Sequence, residues 1–419
     1  MEVLAPAGDW DKLKYAVAYG ADAVYTAGKQ FGLRAKAGNL DNQQIKEAAE
    51  FCHSYNRRIY VTVNIFAHNN DLTELPAYIN YLNEVGVDAL IVSDPGVLSI
   101  VRETAPRLPI HLSTQANTTS WKAAEFWAKQ GVKRIILARE LTFQEIKEII
   151  KALPQLEFEI FVHGAMCISY SGRCLLSAFL NNRSANKGLC TQPCRWKFTL
   201  LEETRPDQYF PIEEDDRGTY ILNSRDLCLY EHLHEILDSG INSIKIEGRM
   251  KSLYYVANTT RVYKTALKLL KSGEKSSHIL SEELEKISHR QYTTGFFTGS
   301  SSLNTQYYES SSYIRDYQYL GEILETKKQD SNRPKNPDNQ EPEIGLKPFI
   351  SLINVKAKFR RGEEIEIIFP DYRQDMIFKV DEIYSSEDEL LVETKPNSIV
   401  KLMTNEELPN DGILRKKIT

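Results

Sequence analysis

The sequence predicts an α/β fold closed as a (β/α)8 TIM-like barrel, and three observations predict it. One local phrase occurs four times: an amphipathic segment, a glycine, two or three linking residues and a β-branched strand, at Gly20-Ala-Asp-Ala-Val-Tyr25, Gly86-Val-Asp-Ala-Leu-Ile91, Gly131-Val-Lys-Arg-Ile-Ile136 and Gly240-Ile-Asn-Ser-Ile-Lys245. Eight short apolar strands, mostly separated by helical segments, can be counted before residue 250. Strands alternating with helices call for a parallel sheet covered by helices. The length of 419 residues holds one such core and a smaller second domain, at roughly 100–200 residues per domain with barrels running longer.

Taken in order, Val3-Leu-Ala5 is the first strand, and Asp9 caps a helix whose Trp10, Leu13 and Val17 share one face. Gly20 stops that helix, because glycine adopts the left-handed conformation at C′ without strain. The other strands are Ala23–Tyr25, Ile59–Val63, Ala89–Val92, Ile110–Ser113, Arg134–Leu137, Phe158–Val162 and Ser243–Ile246. An open doubly wound sheet is the alternative. Ala5-Pro-Ala-Gly-Asp9 has a single glycine after strand one, so the dinucleotide fingerprint is missing and a nicotinamide cofactor is not expected.

The barrel domain is expected over residues 1–315, with an insertion at about 164–222 between strands seven and eight, and a small all-β barrel over 316–419. Strands of the second domain are expected at Tyr319–Leu324, Phe349–Ile353, Glu364–Phe369, Met376–Val380 and Glu389–Glu393, with turns at Arg361-Gly362 and Lys395-Pro-Asn397. Residues 327–342, rich in Lys, Asn, Asp, Gln and Pro, are expected to be a flexible loop.

Fifty-two basic and 57 acidic residues leave a net charge of −5, so any nucleic-acid contact has to come from a local patch. The N-terminus starts directly as a strand rather than as a signal peptide, and no apolar run reaches the ~20 residues of a membrane span. A cytoplasmic protein with reduced thiols is expected, with no membrane association.

Four of six cysteines, Cys167, Cys174, Cys190 and Cys194, fall within 28 residues of the insertion. Four thiolates converging on one centre suit zinc or an iron–sulfur cluster. Zinc ligand pairs are usually two to four residues apart. Cys190 and Cys194 meet that spacing, while Cys167 and Cys174 do not, which favours a cluster, with 4Fe–4S as the expected form. The bland alternatives are a disulfide pair or unrelated buried thiols. Cys52 lies in a helical run and is expected in the core. Cys228 is an alternative fourth ligand, with Cys194 preferred because Cys190-x3-Cys194 is local.

Loops after barrel strands lie on the catalytic face, so the cluster is expected over the mouth. The polar strand-end residues Asp9, Asn64, Asp94, Thr114, Gln115, Arg139, Glu140, His163, Glu247 and Arg249 are expected there too. Asp9 and Asp94 are assigned to helix capping. Arg139, Glu140, Glu247 and Arg249 either bind an anionic small molecule or form two structural ion pairs. Residues 251–271 form a helix with Lys251, Arg261, Lys264, Lys268 and Lys271 among Tyr254, Tyr255 and Tyr263. It is either a solvated basic face or, with Arg173, Arg183, Lys187, Arg195, Trp196 and Lys197 of the insertion, an RNA patch of cations and stacking rings, to which His289–Phe297 adds Tyr292.

The stretch Phe158–Ser177 resembles the collagenase-like peptidase family U32, whose signature is matched by Glu159, Phe161, Gly164, Ala165, Cys167, Gly172, Cys174 and Ser177. The segments Gly188–Trp196, Asn223-Ser-Arg-Asp-Leu227, Ile244-Lys-Ile-Glu-Gly-Arg-Met-Lys251 and His289-Arg-Gln-Tyr-Thr-Thr-Gly-Phe296 resemble the branch of that family that hydroxylates the wobble uridine of tRNA. The resemblance covers nearly the whole chain. It implies a cluster-dependent enzyme forming 5-hydroxyuridine, with tRNA as partner and prephenate as a co-substrate that the arginines would meet. A cysteine near Cys228 is a feature of relatives that hydroxylate quinones.

A peptidase is the second reading, through a Cys167–His163 pair, although H-E-x-x-H and G-x-S-x-G are both missing from the sequence. A third is a binding subunit that escorts RNA, a partner protein or a paralogue. Ribosomal RNA and quinones are alternative substrates by resemblance.

Overall fold

The computed structural model describes residues 1–33, 38–166, 174, 176–181, 183, 189–191, 193, 213–215, 218–220, 225–275, 277–299, 313–328 and 347–418. Two compact units emerge, Met1–Glu285 with His289–Ile314, and Lys286–Ser288 with Arg315–Thr419.

The first unit is built on strands β1 (Glu2–Pro6), β2 (Ala23–Ala27), β3 (Arg58–Val63), β4 (Ala89–Val92), β5 (Ile110–Leu112), β6 (Arg134–Ile136), β7 (Glu157–Ala165), β8 (Asp226–Cys228), β9 (Ser243–Ile246) and β10 (Tyr292–Thr293). β1 to β7 pair in sequence order, all parallel, and β9 pairs parallel with both β7 and β1, closing an eight-stranded barrel. All eight strands expected from the sequence are present. The repeated phrase has its physical basis in Gly20, Gly86, Gly131 and Gly240, which sit at φ between 79° and 101° where each preceding helix ends.

Asp9 accepts from Lys12 N at 3.0 Å, and Asp94 accepts from Gly96 N and Val97 N, so both are helix caps. Thr114 donates its hydroxyl to Leu137 O at 3.1 Å, joining the ends of β5 and β6. Cys52 is fully buried in the helix Asn42–Ser54.

The barrel interior carries an ionic layer rather than an all-apolar one. Arg134 Nη1 lies 2.6 Å from Glu2 Oε1 and 3.2 Å from Glu159 Oε2, and Lys245 Nζ lies 3.2 Å from Glu159 Oε1. Tyr60 and Ser243 donate to the two oxygens of Glu2 at 2.8 and 3.0 Å. Two carboxylates face two cations, which lets four charges be buried without net charge. Burial nevertheless pushes the Lys245 ammonium down in pKa, against the pull of Glu159.

β7 leaves the barrel through a bulge. Phe161 pairs with Lys245 and His163 with Ile246, so Val162 is an extra residue. Beyond it, β7 pairs antiparallel with β8, matching Ala165 to Asp226 and His163 to Cys228, and β10 joins the outer edge of β8. Within the insertion, Glu213–Asp215 and Gly218–Tyr220 form an antiparallel hairpin.

The helix Leu253–Lys271, capped by Ser252, departs from the expected basic face. Arg261 is fully buried, 2.9 Å from Glu283 and from Asn258. Tyr254, Tyr255 and Tyr263 are buried, and Lys264 is paired with Asp22. Lys268 and Lys271 are the exposed cations of this helix. The cause is that the helix is covered on more than one side, so its polar positions point into packed surroundings.

The second unit is an eight-stranded antiparallel half-barrel sheet around one apolar core that includes Leu320, Ile353, Ile365, Phe369, Leu402 and Leu414. Gly362 and Asn397 adopt positive φ at the two expected turns. The expected loop at 327–342 starts later, because the first strand of the sheet runs Tyr317–Lys328; the remainder of that loop lies outside the described residues. Three strands were not anticipated: Ile383–Tyr384, Ile399–Thr404 and Ile413–Lys417.

Candidate functional site

Two polar regions stand at the C-terminal ends of the barrel strands, where barrel enzymes place their chemistry. The first is the mouth itself. Arg139, following β6, donates to Ala165 O at 3.1 Å and lies over the Phe161 ring, 5.4 Å from its centroid. Its buried Nε has no hydrogen-bond partner among the described residues. Glu247, following β9, receives the Tyr25 hydroxyl at 3.4 Å, which also donates to Ile246 O at 2.9 Å. Arg139 and Glu247 are half-buried, and neither is in an ion pair among the described residues. Glu140 is half-buried as well. Arg249 is buried and donates to Leu33 O. Asn64 accepts from Leu33 N at 3.1 Å and donates to Gln115 Oε1 at 2.8 Å, and Ser113 donates to the same oxygen.

At the bulge in β7 the His163 carbonyl accepts from Glu247 N at 2.8 Å, while its ring faces a group of tyrosines. Its ring contacts Tyr255, Tyr263 and Tyr292 at centroid distances of 5.8, 5.5 and 5.4 Å. Tyr263 donates its hydroxyl to Val162 O at 3.0 Å and therefore accepts from His163 Nδ1 at 3.3 Å, leaving Nε2 as the bare acceptor nitrogen. Complete burial pushes the imidazole down to about 3. A group so weakly basic is a poor general base; Cys167, the other half of the expected pair, lies outside the described residues.

The second region is centred on Asp226. Arg290 grips it with Nε at 3.0 Å and Nη2 at 2.6 Å, the Arg290 amide donates at 3.2 Å, and Lys251 Nζ lies at 3.7 Å. Lys251 also lies over the ring of Tyr313, 4.5 Å from its centroid. Burial works against the Asp226 carboxylate, yet Arg290 and Lys251 outweigh it and hold its pKa below the usual value. Three segments far apart in sequence, Asn223–Leu227, Ile244–Lys251 and His289–Phe296, thus meet at one carboxylate. In the sequence Asp226 and Arg290 stand out only as members of the segments Asn223–Leu227 and His289–Phe296, not as site residues. Tyr292 is half-buried, stacked on His289 at 4.2 Å, and donates its hydroxyl to Leu284 O at 2.7 Å.

Of the cysteines, Cys174 and Cys190 are half-buried. Cys174 Sγ accepts from Leu176 N at 3.4 Å, immediately before the helix Leu176–Asn181. The segment of Cys190 is fastened to that same helix: Thr191 N and Oγ1 meet Ser177 Oγ at 3.1 and 3.0 Å, and Asn181 donates to Thr191 Oγ1 at 2.9 Å. Cys228 lies instead on β8, with Sγ 3.8 Å from the Tyr263 hydroxyl, and burial pushes its thiol up to about 11. Among the described residues no three His, Cys, Asp or Glu side chains form a metal site. Cys167, Cys194, Arg173, Arg195 and Trp196 lie outside the described residues.

Residues 8–307 match the sequence pattern described as peptidase family U32. The chain is 36% identical over 409 residues to tRNA hydroxylation protein P of Escherichia coli strain K12, covering 88% of this chain and 86% of that protein. To tRNA hydroxylation protein P1 of Bacillus subtilis strain 168 it is 35% identical over 419 residues, covering 99% and 94%. To a 23S rRNA 5-hydroxycytidine synthase of Escherichia coli strain K12 it is 35% identical over 311 residues, 71% of this chain and 45% of that protein.

Proposed function

Because the chain belongs to peptidase family U32, we propose that it is an RNA-modifying enzyme that hydroxylates the wobble uridine of tRNA at C5, forming 5-hydroxyuridine. The observation that carries this reading is the end-to-end similarity to tRNA hydroxylation proteins, which spans nearly all of both chains. Its RNA is tRNA, its compartment is the cytoplasm, and no helix among the described residues is long and apolar enough to cross a membrane.

The half-buried Cys174 and Cys190, held to one helix through Ser177 and Thr191, fit as two thiolate ligands of a 4Fe–4S cluster. Cys167 and Cys194 complete the set. When bound, the cluster supplies electron transfer or a Lewis-acidic iron. Arg139, whose Nε lacks a partner among the described residues, binds the carboxylate of the co-substrate prephenate. Glu247 accepts a hydrogen bond from the bound uridine or metabolite, oriented by Tyr25. Lys251 and the cations Arg173 and Arg195 meet tRNA phosphates, and Trp196 offers a stacking face.

The test is nucleoside mass spectrometry of tRNA from a bacterial strain stripped of its own wobble-uridine hydroxylation proteins and supplied with this chain. Appearance of 5-hydroxyuridine is expected. A well-expressed protein that leaves the uridine unmodified would overturn the reading, and hydroxylated ribosomal RNA or quinone in the same cells would redirect it.

A further inference from the structure

The loop that leaves β2 is held by side chains from two other strands of the barrel. Leu33 donates its amide to Asn64 Oδ1 at 3.1 Å, and its carbonyl accepts from the buried Arg249 guanidinium. Asn64 follows β3 and is itself tied to Gln115 and Ser93. Arg249 follows β9, and its own carbonyl lies so close to Gly8 that no Cβ would fit there. The loop is also tense. Phe31 adopts φ 57° without being glycine or asparagine, a conformation that persists only where surroundings over-determine it and that concentrates at functional sites. Gly28 and Gly32 lie against Tyr78 and Ala27, where side chains would collide. The Phe31 ring rests against Tyr78 at 5.3 Å.

We propose that Asn64 and Arg249 are positioning residues that hold the strained loop Gly28–Leu33 as a preset wall of the barrel mouth, so that the RNA binds without first having to order it. This gives Arg249 a different task from contacting an anionic substrate: its guanidinium is turned to the backbone of the loop. The inference rests on the RNA-hydroxylation reading for its kinetic consequence, while the clamp itself can be read without any activity. A loop released from its clamp adds an ordering cost to binding that reaction steps after binding do not feel.

The experiment compares wild type with Asn64→Ala, Asn64→Asp, Arg249→Ala and Arg249→Lys by amide hydrogen exchange and by steady-state hydroxylation of purified tRNA. Both alanine variants are expected to exchange the Leu33 amide about tenfold faster or more, as for a lost or loosened buried hydrogen bond, with protection of β3 and β9 unchanged. Arg249→Lys keeps one donor and restores protection, while Asn64→Asp keeps the acceptor for Leu33 N but loses the donor to Gln115, so it restores protection in part. In the activity arm, KM for tRNA rises severalfold in the alanine variants while kcat holds. Unchanged exchange at Leu33 would overturn the clamp. Faster exchange with unchanged KM, or a fall in kcat alone with loss of protection throughout the barrel, would overturn the positioning role. A wild-type protein inactive on tRNA would refute the hydroxylation reading, and with it the kinetic consequence, while the exchange data still decide the clamp.

Discussion

Asp226 and Arg290 form a two-pronged ion pair, Nε at 3.0 Å and Nη2 at 2.6 Å, with both side chains about 1% exposed. It joins β8 to the chain entering β10, so the strand that returns from the cysteine-bearing insertion is locked to the end of the first unit.

Removing one side of this pair leaves a buried charge without its partner. Asp226→Ala is expected to cost ~3–5 kcal/mol, read as a lower urea midpoint. The acid limb should change as well. Arg290 and Lys251 hold the folded Asp226 pKa below its unfolded value, so its contribution is complete above an unfolded pKa of about 4 and fades as pH falls through the lower folded value. Wild type should therefore lose stability more steeply than the variant below about pH 4. Parallel curves would refute the assignment.

His163 makes a prediction in a higher window. Its folded pKa is pushed down to about 3 by burial, against about 6.5 when unfolded. Full stability is thus present above about pH 6.5 and declines, at ~1.4 kcal/mol per unit, toward the folded value. His163→Phe should remove this component between pH 6 and 4, after allowance for His111, whose pKa burial also lowers. An NMR titration that shows the His163 ring protonating near pH 6 would sink the prediction.

Lys245 and Glu159 test whether the ionic layer inside the barrel is coupled. Glu159→Ala leaves Lys245 and Arg134 facing each other with one carboxylate fewer and should cost ~3–5 kcal/mol. Combining it with Lys245→Met should cost clearly less than the sum of the single changes, by ~0.5–3 kcal/mol. A strictly additive double-mutant cycle in urea would show the two charges to be independent.

For the cysteines, the measurement is visible absorbance with iron and sulfide content of protein prepared without oxygen. Alanine at Cys167, Cys174, Cys190 or Cys194 is expected to abolish a broad brown band, and Cys228→Ala to keep it, since Cys228 sits on β8 against Tyr263. Colourless wild-type protein holding zinc would defeat the cluster assignment. Loss of colour in Cys228→Ala with retention in Cys194→Ala would exchange the fourth ligand.

The barrel was legible because its signals are local. A glycine that must adopt positive φ ends a helix, and a β-branched run of four or five residues follows. The strands Ile399–Thr404 and Ile413–Lys417 escaped because Lys401, Arg415, Lys416 and Lys417 dilute their alternation. Their place in the sheet is set by pairing with Phe349–Val355 and Tyr317–Lys328, and by Arg415 reaching Glu366 at 2.6 Å. At the site, strand ends named the mouth residues Asn64, Arg139, Glu247 and Arg249. The direction of His163 was hidden, since one extra residue in β7 reverses which side a side chain faces. The Asp226–Arg290 pair was hidden for a related reason: 64 positions separate two residues that no periodicity links.

The antiparallel match of Ala165 with Asp226 gives the chain a zipped neck, with 60 residues looped out between two paired positions. The register at this neck is set by the pairing of β7 with β8, whatever number of residues separates them. Doubling the looped-out length would cost only about 0.6 kcal/mol in closure entropy. The eight strands beneath can therefore keep their register while the number of residues between the two paired positions changes.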